Sequence, residues 1–113
     1  MARRSRLLEA PPYAVERSLK TLGSNLRTAR VRRKLTLEDL AQKVGVSRRI
    51  LSDVEKGKPS TGIGIYVAAL WALGLLDHLS PVADPTKDAE GLALALARQR
   101  SRVRKTEVLD NDF

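Results

Sequence analysis

The chain has 113 residues, a formal net charge of +8, 42% hydrophobic residues, 4% aromatics and no cysteine. That length allows one compact domain with tails, the apolar content excludes wholesale disorder, and the missing thiols exclude a disulfide framework or a thiolate metal site. The positive excess calls for a polyanionic partner, nucleic acid before an anionic membrane surface.

Residues 1–11, basic at Arg3, Arg4 and Arg6, read as a flexible arm that either enters a DNA minor groove or simply solubilises the chain. Their apolar part stops at Leu7-Leu8, so they do not read as a signal peptide. No apolar run is long enough to span a bilayer, and a soluble cytoplasmic protein is the expectation. Leu, Ala, Arg, Lys and Glu dominate, which favours helices. Residues 12–80 are predicted to form the folded domain. From Tyr13 onward, Val15, Leu19, Leu22 and Leu26 recur at helical spacing. Gly23-Ser24 is expected to divide this stretch, because glycine costs about 1 kcal/mol inside a helix and Ser24 suits an N-cap.

Thr36 with Asp39 three residues on is a weak capping box for a helix over 37–44. Gly45 suits a left-handed stop. Ser47 caps a second helix over 48–56, which ends at Gly57, and residues 58–62 form a loop. Residues 63–75, IGIYVAALWALGL, are apolar around most of the helix, and a short turn over 76–79 closes the domain. Ser80-Pro81 and Asp84-Pro85 mark a linker, since residues before proline leave the helical region. Residues 81–105 therefore read as linker and last helix, with Leu92, Leu96 and Val103 along one side and the basic run RQRSRVRK at its end. Residues 106–113 read as a flexible acidic tail in which Val108, Leu109 and Phe113 could dock on a partner.

Catalytic signals are missing. The single histidine, His78, stands beside Asp77 without a second imidazole or a positioned serine. Gly62 and Gly64 lack the Lys-Ser/Thr that would make a phosphate loop. An enzyme is not expected, nor a cofactor.

A helix, a tight turn at Gly45 and a second helix capped by Ser47 make a helix-turn-helix. Ala41 is small where the second helix crosses, while Val46, Leu51 and Val54 lock the pair to the core. In such a motif the first residues of the second helix face base edges in the major groove. Arg48 and Arg49 suit guanine O6 and N7; phosphate contact and plain surface charge are the alternatives. Ser52 and Asp53 lie one turn on, Asp53 accepting from cytosine N4 or orienting an arginine, or else only pairing with Arg49. Ile50 either touches a thymine methyl or joins the core. Thr36 and Ser47, with the helix amides behind them, suit phosphate, and Lys43 is a further candidate.

The run Thr36-Leu37-Glu38-x-Leu40-Ala41-x-x-Val44-Gly45-Val46-Ser47, continued by Leu51-Ser52-x-Val54-Glu55-x-Gly57, resembles the lambda-repressor-like, or XRE, family of DNA-binding domains. The resemblance implies an all-α, five-helix domain that binds operator DNA as a homodimer, here with an extra N-terminal helix and a C-terminal helical extension. It implies phosphate contacts from Lys58, Ser60 and Thr61 and a structural ion pair between Arg30 and Glu55. It departs at Leu37, where the family usually carries a glutamine that contacts the backbone. Dimers in the family often form through the region of residues 63–76. The Gly64-Ile65-Tyr66-x-x-x-Leu70-x-x-Leu73-Gly74-Leu75 stretch, the Ala83–Pro85 linker and the Asp-Ala-Glu-Gly-Leu-Ala-Leu continuation further resemble HipB-like antitoxins, which implies a HipA-like kinase toxin as partner. A free-standing phage-type regulator and a protein-interaction adaptor that has lost DNA binding are the alternatives.

Overall fold

The computed structural model describes residues 5–111, with side chains to residue 106. Arg3, Arg4 and Phe113 lie outside the described residues. Two units divide the chain, Met1–Asp77 and His78–Phe113. The described elements are all helical: α1 (Arg6–Glu9), α2 (Tyr13–Arg32), α3 (Leu37–Val44), α4 (Arg48–Glu55), α5 (Ile63–Ala72), two 3-10 turns (Leu76–Leu79 and Pro85–Lys87) and α6 (Ala89–Asn111). Residues 6–9, read as part of the arm, make one helical turn whose Leu8 N–H donates to Ser5 Oγ.

The expected break at Gly23-Ser24 does not occur, and α2 runs unbroken for 20 residues. Gly23 is buried there for a reason that no local propensity carries. A Cβ on it would sit 2.6 Å from the backbone carbonyls of both Val54 and Glu55, so glycine is what lets the end of α4 lie against α2. The same approach is made from the other side. Gly57, with φ +70°, lies where a Cβ would run into the Leu19 carbonyl and the Lys20 amide. "Extra N-terminal helix" and first domain helix are therefore one element.

Four helix ends share one geometry. After α3, α4 and α5 the chain turns left-handed at Gly45, Gly57 and Gly74, and the next residue's N–H reaches back five residues: Val46 to Ala41, Lys58 to Asp53, Leu75 to Leu70. After α2 the same bond runs from Leu35 N–H to the Arg30 carbonyl, but the left-handed residue is Lys34, with φ +56°.

The core of the first unit takes Leu26 and Ala29 from α2, Leu40 and Ala41 from α3, Leu51 and Val54 from α4, and Tyr66, Ala69, Leu70 and Leu73 at α5 and its end. Leu40, Leu51 and Val54 are fully buried. The small side chain at Ala41 is 3% exposed. Residues 63–75 are shorter as a helix than the apolar run suggested, because Gly74 turns the chain. Their second apolar face is open, with Ile63 75% and Trp71 61% exposed.

In the second unit, Asp84 accepts from the Thr86 amide and hydroxyl, and those bonds hold its carboxyl below the usual range. α6 starts at Ala89, just past the 3-10 turn at Pro85–Lys87, with the Gly91 N–H donating to Asp88 Oδ1. It continues to Asn111, so residues 106–111, read as a loose tail, are helical.

Candidate nucleic-acid interface

α3 and α4 both begin on a serine or threonine cap, but their electrostatics differ. Thr36 Oγ1 accepts from the Asp39 N–H at 3.0 Å, and Asp39 Oδ2 accepts from the Thr36 N–H at 2.9 Å, closing a full capping box. The Thr36 backbone bond, followed by its hydroxyl, holds the Asp39 carboxyl below its ordinary value. The first turn of α3 therefore carries two carboxylates, Glu38 and Asp39, and the Thr36 N–H is already engaged. Phosphate is less welcome there than at α4. Ser47 Oγ accepts from the Ile50 N–H at 3.2 Å, and the first turn beyond it holds no acid, only Arg48 and Arg49. The helix dipole and two guanidinium groups thus place positive charge at one spot. Both arginines are exposed, as are Ser47, Thr36, Lys43 and Ser60.

The outer face of α4 forms one wall of an open groove of about 550 Å³ that brings together Arg48, Arg49, Ser52 and Asp53 with Leu37, Lys56 and Lys58. Leu37 is half-buried against the core and supplies the groove's apolar wall. Ile50 is 37% exposed and stays outside the buried core. Lys56 was not singled out from sequence. At 100° per residue it falls inside the arc between Arg48 and Asp53, so a helical projection carries the signal.

Asp53 does not pair with Arg49. Its carboxylate lies 3.1 Å from Lys58 Nζ, because the left-handed turn at Gly57 folds the chain back and the Lys58 N–H bonds the Asp53 carbonyl. The loop that follows is held by Tyr66, whose hydroxyl donates to the Lys58 carbonyl at 3.0 Å while the Thr61 N–H donates to the same oxygen. Burial, and then the Asp53 charge, push the Tyr66 phenol up. Tyr66 lies in the apolar run of residues 63–75, and nothing in that spacing marks it as the brace of the Lys58–Thr61 loop.

Behind the groove, Arg30 ties three segments. Its Nε donates to Glu55 Oε2 at 2.7 Å, one NH2 group to Glu55 Oε1 at 3.0 Å, and the other to the Leu35 carbonyl at 2.9 Å. Both side chains are nearly buried, at 13% and 8% exposure. The Glu55 hydrogen bonds raise the arginine's pKa against a burial effect of opposite sign. The result is a forked, charge-assisted bracket between α2 and the C-terminal end of α4.

The described residues contain no cluster of groups able to hold a metal ion and no helix long and apolar enough to cross a membrane. A family model described as a helix-turn-helix domain matches residues 21–81, the span that holds α3, α4, the groove and its bracket. No curated protein and no solved structure matches the chain.

Proposed function

The chain belongs to the helix-turn-helix domain family, of the lambda-repressor-like type, and on that premise we propose that it is a sequence-specific transcriptional repressor that binds a palindromic operator as a homodimer. One observation carries the reading: the exposed Arg48 and Arg49 stand at the acid-free, Ser47-capped mouth of α4. In this role the two arginines read guanine edges. Ser52 and Asp53 contribute one turn on, and Ser47, Lys43, Lys58, Ser60 and Thr61 hold phosphates, with Thr36 the weakest because of its acidic first turn. Homodimerisation uses the open face of α5, where Ile63 and Trp71 leave apolar surface uncovered. A two-fold pair would set its reading helices about 34 Å apart on successive major-groove turns.

The test is binding to duplex DNA from the chain's own promoter region at two salt concentrations, beside an Arg48→Ala/Arg49→Ala variant. Two lost bidentate contacts of about 1–3 kcal/mol each remove at least tenfold in affinity for the operator and leave a weak, salt-sensitive, sequence-blind remainder. Equal binding by both proteins refutes base reading by these arginines, while a dimer without DNA affinity favours the adaptor alternative, for which Leu37 in place of a glutamine speaks.

The finer specialisation we infer is a HipB-like antitoxin that also binds a HipA-like kinase toxin. The residues around Ile63–Leu75 and Asp88–Leu94 support it by resemblance. Co-purification with the product of an adjacent kinase-like gene checks it; a genome without such a neighbour leaves the free-standing repressor.

A further inference from the structure

The second unit carries charge that the groove on α4 does not use. Between Glu90 and Glu107 the sequence holds no acidic residue, yet Arg98, Arg100, Arg102, Arg104 and Lys105 fall within eight positions of α6. All five are exposed, and none enters an ion pair among the described residues. At 100° per residue, Arg98, Arg102 and Lys105 share one flank of the helix and Arg100 and Arg104 the other. Every described side chain from Leu92 to Thr106 is exposed, so this segment is a bare helix rimmed by cations on two sides.

We infer that the α6 segment from Arg98 to Lys105 is a second, sequence-independent binding site for duplex DNA; the inference rests on the DNA-binding reading above. The dimensions agree. The segment rises about 10 Å, over which duplex DNA presents roughly six phosphate charges to five cations. A helix about 10–12 Å across fits a major groove about 12 Å wide, where phosphates line both walls, and cations on both flanks meet both walls. An acidic membrane surface would instead select one charged face opposite one broad apolar face. Here the narrow apolar line of Leu92, Leu96 and Val103 lies between the two cationic flanks. The arginine side chains reach phosphates and leave base edges unread, so the site adds affinity without adding sequence preference.

The experiment uses the full chain and a variant with Arg98, Arg100, Arg102, Arg104 and Lys105 all changed to Gln, which keeps helix propensity. A second variant carries Lys at the four arginines. Affinity is measured for a promoter duplex and a scrambled duplex across a salt series, beside Arg48→Ala/Arg49→Ala and beside phosphatidylserine vesicles, with far-ultraviolet circular dichroism confirming the helices. The Gln variant is expected to lose tenfold or more on both duplexes, to keep the promoter-to-scrambled ratio, and to lower the slope of log affinity against log salt by roughly three to five. The Lys variant is expected to bind as the native chain does. Unchanged affinity and slope for the Gln variant overturn the inference, and so does a loss seen on vesicles alone. If Arg48→Ala/Arg49→Ala still loses promoter preference in that case, the repressor reading survives without the second site. A native chain that binds neither duplex overturns both.

Discussion

Replacing Gly23 by alanine separates local propensity from tertiary contact, because the two give opposite signs. Gly23 lies inside an unbroken helix, where glycine to alanine gains about 1 kcal/mol. The added Cβ would sit 2.6 Å from two backbone carbonyl oxygens of α4, at Val54 and Glu55, and ordinary contact begins near 3.4 Å. The end of α4 must therefore retreat by about 0.8 Å, and neither oxygen belongs to a side chain that can swing away. Overpacking of this kind costs about 1–3 kcal/mol, and more when backbone must move. The retreat also draws Glu55 from Arg30, whose bond is 2.7 Å long, and stretches a nearly buried charge pair. The expected sum is a net destabilisation of roughly 2 kcal/mol, which lowers the melting temperature of a domain this size by about 8–16 °C. Thermal and urea unfolding followed by circular dichroism read it directly. A variant that melts at or above the native temperature would show that α4 does not approach α2 at backbone distance, and the docking geometry described here would fail with it.

The bracket and its neighbours give three more predictions. Glu55→Ala strands the Arg30 guanidinium and is expected to cost about 3 kcal/mol; a double-mutant cycle with Arg30→Met recovers part of that loss in urea titrations, and simple additivity refutes the pairing. Lys34→Gly relieves a left-handed residue that carries a Cβ, and a gain of about 1 kcal/mol should appear as a higher urea midpoint. Tyr66→Phe keeps the ring packing and removes the bond to the Lys58 carbonyl, at about 1 kcal/mol. Because the Tyr66 phenol is raised in the fold, its contribution is whole below the unfolded value near 10 and is lost as pH rises toward the folded value. The alkaline limb of the native stability profile should flatten in the variant.

How much of this was legible in the sequence depends on how far each signal had to travel. The α3–turn–α4 unit was legible because its cues are local: Thr36 and Asp39 reach across one turn, Gly45 needs only its own φ of +85°, and Ser47 caps the residue three places on. Gly23 misled for the complementary reason. Its helix-breaking tendency is local, while its purpose lies far along the chain at Val54 and Glu55. Lys34 hid the end of α2, since a lysine carries none of the signal that glycine gives at the other three helix ends. The ion-pair partner of Asp53 was not legible, because a helical projection offers Arg49 as one alternative and cannot see the chain turning back at Gly57 to deliver Lys58. Apolar residues around most of α5 could not say which face is covered, and Trp71 stands open.

The positions that misled also explain how the proposed reading helix is held. α4 meets α2 at its C-terminal end through two reciprocal glycines, Gly23 admitting the carbonyls of α4 and Gly57 admitting the backbone of α2. The forked Arg30–Glu55 bracket closes the same junction. Leu51 and Val54 bury the inner side completely. At the other end the N-terminus of α4 has its Ser47 cap, and beyond that cap two exposed arginines and no acid. The helix is thus anchored at one end and presented at the other. Backbone-to-backbone docking fixes the direction of the free end with less side-chain freedom to lose than a contact built from long side chains, and a preorganised helix mouth loses less order on meeting DNA. If Arg48 and Arg49 read bases as proposed, changes at Gly23 or Glu55 are expected to weaken operator recognition without touching DNA, by letting the two arginines wander. Changes at Arg98–Lys105 weaken the grip while leaving the promoter-to-scrambled ratio alone. The two classes separate in one assay, because the first moves that ratio and the second moves the salt slope.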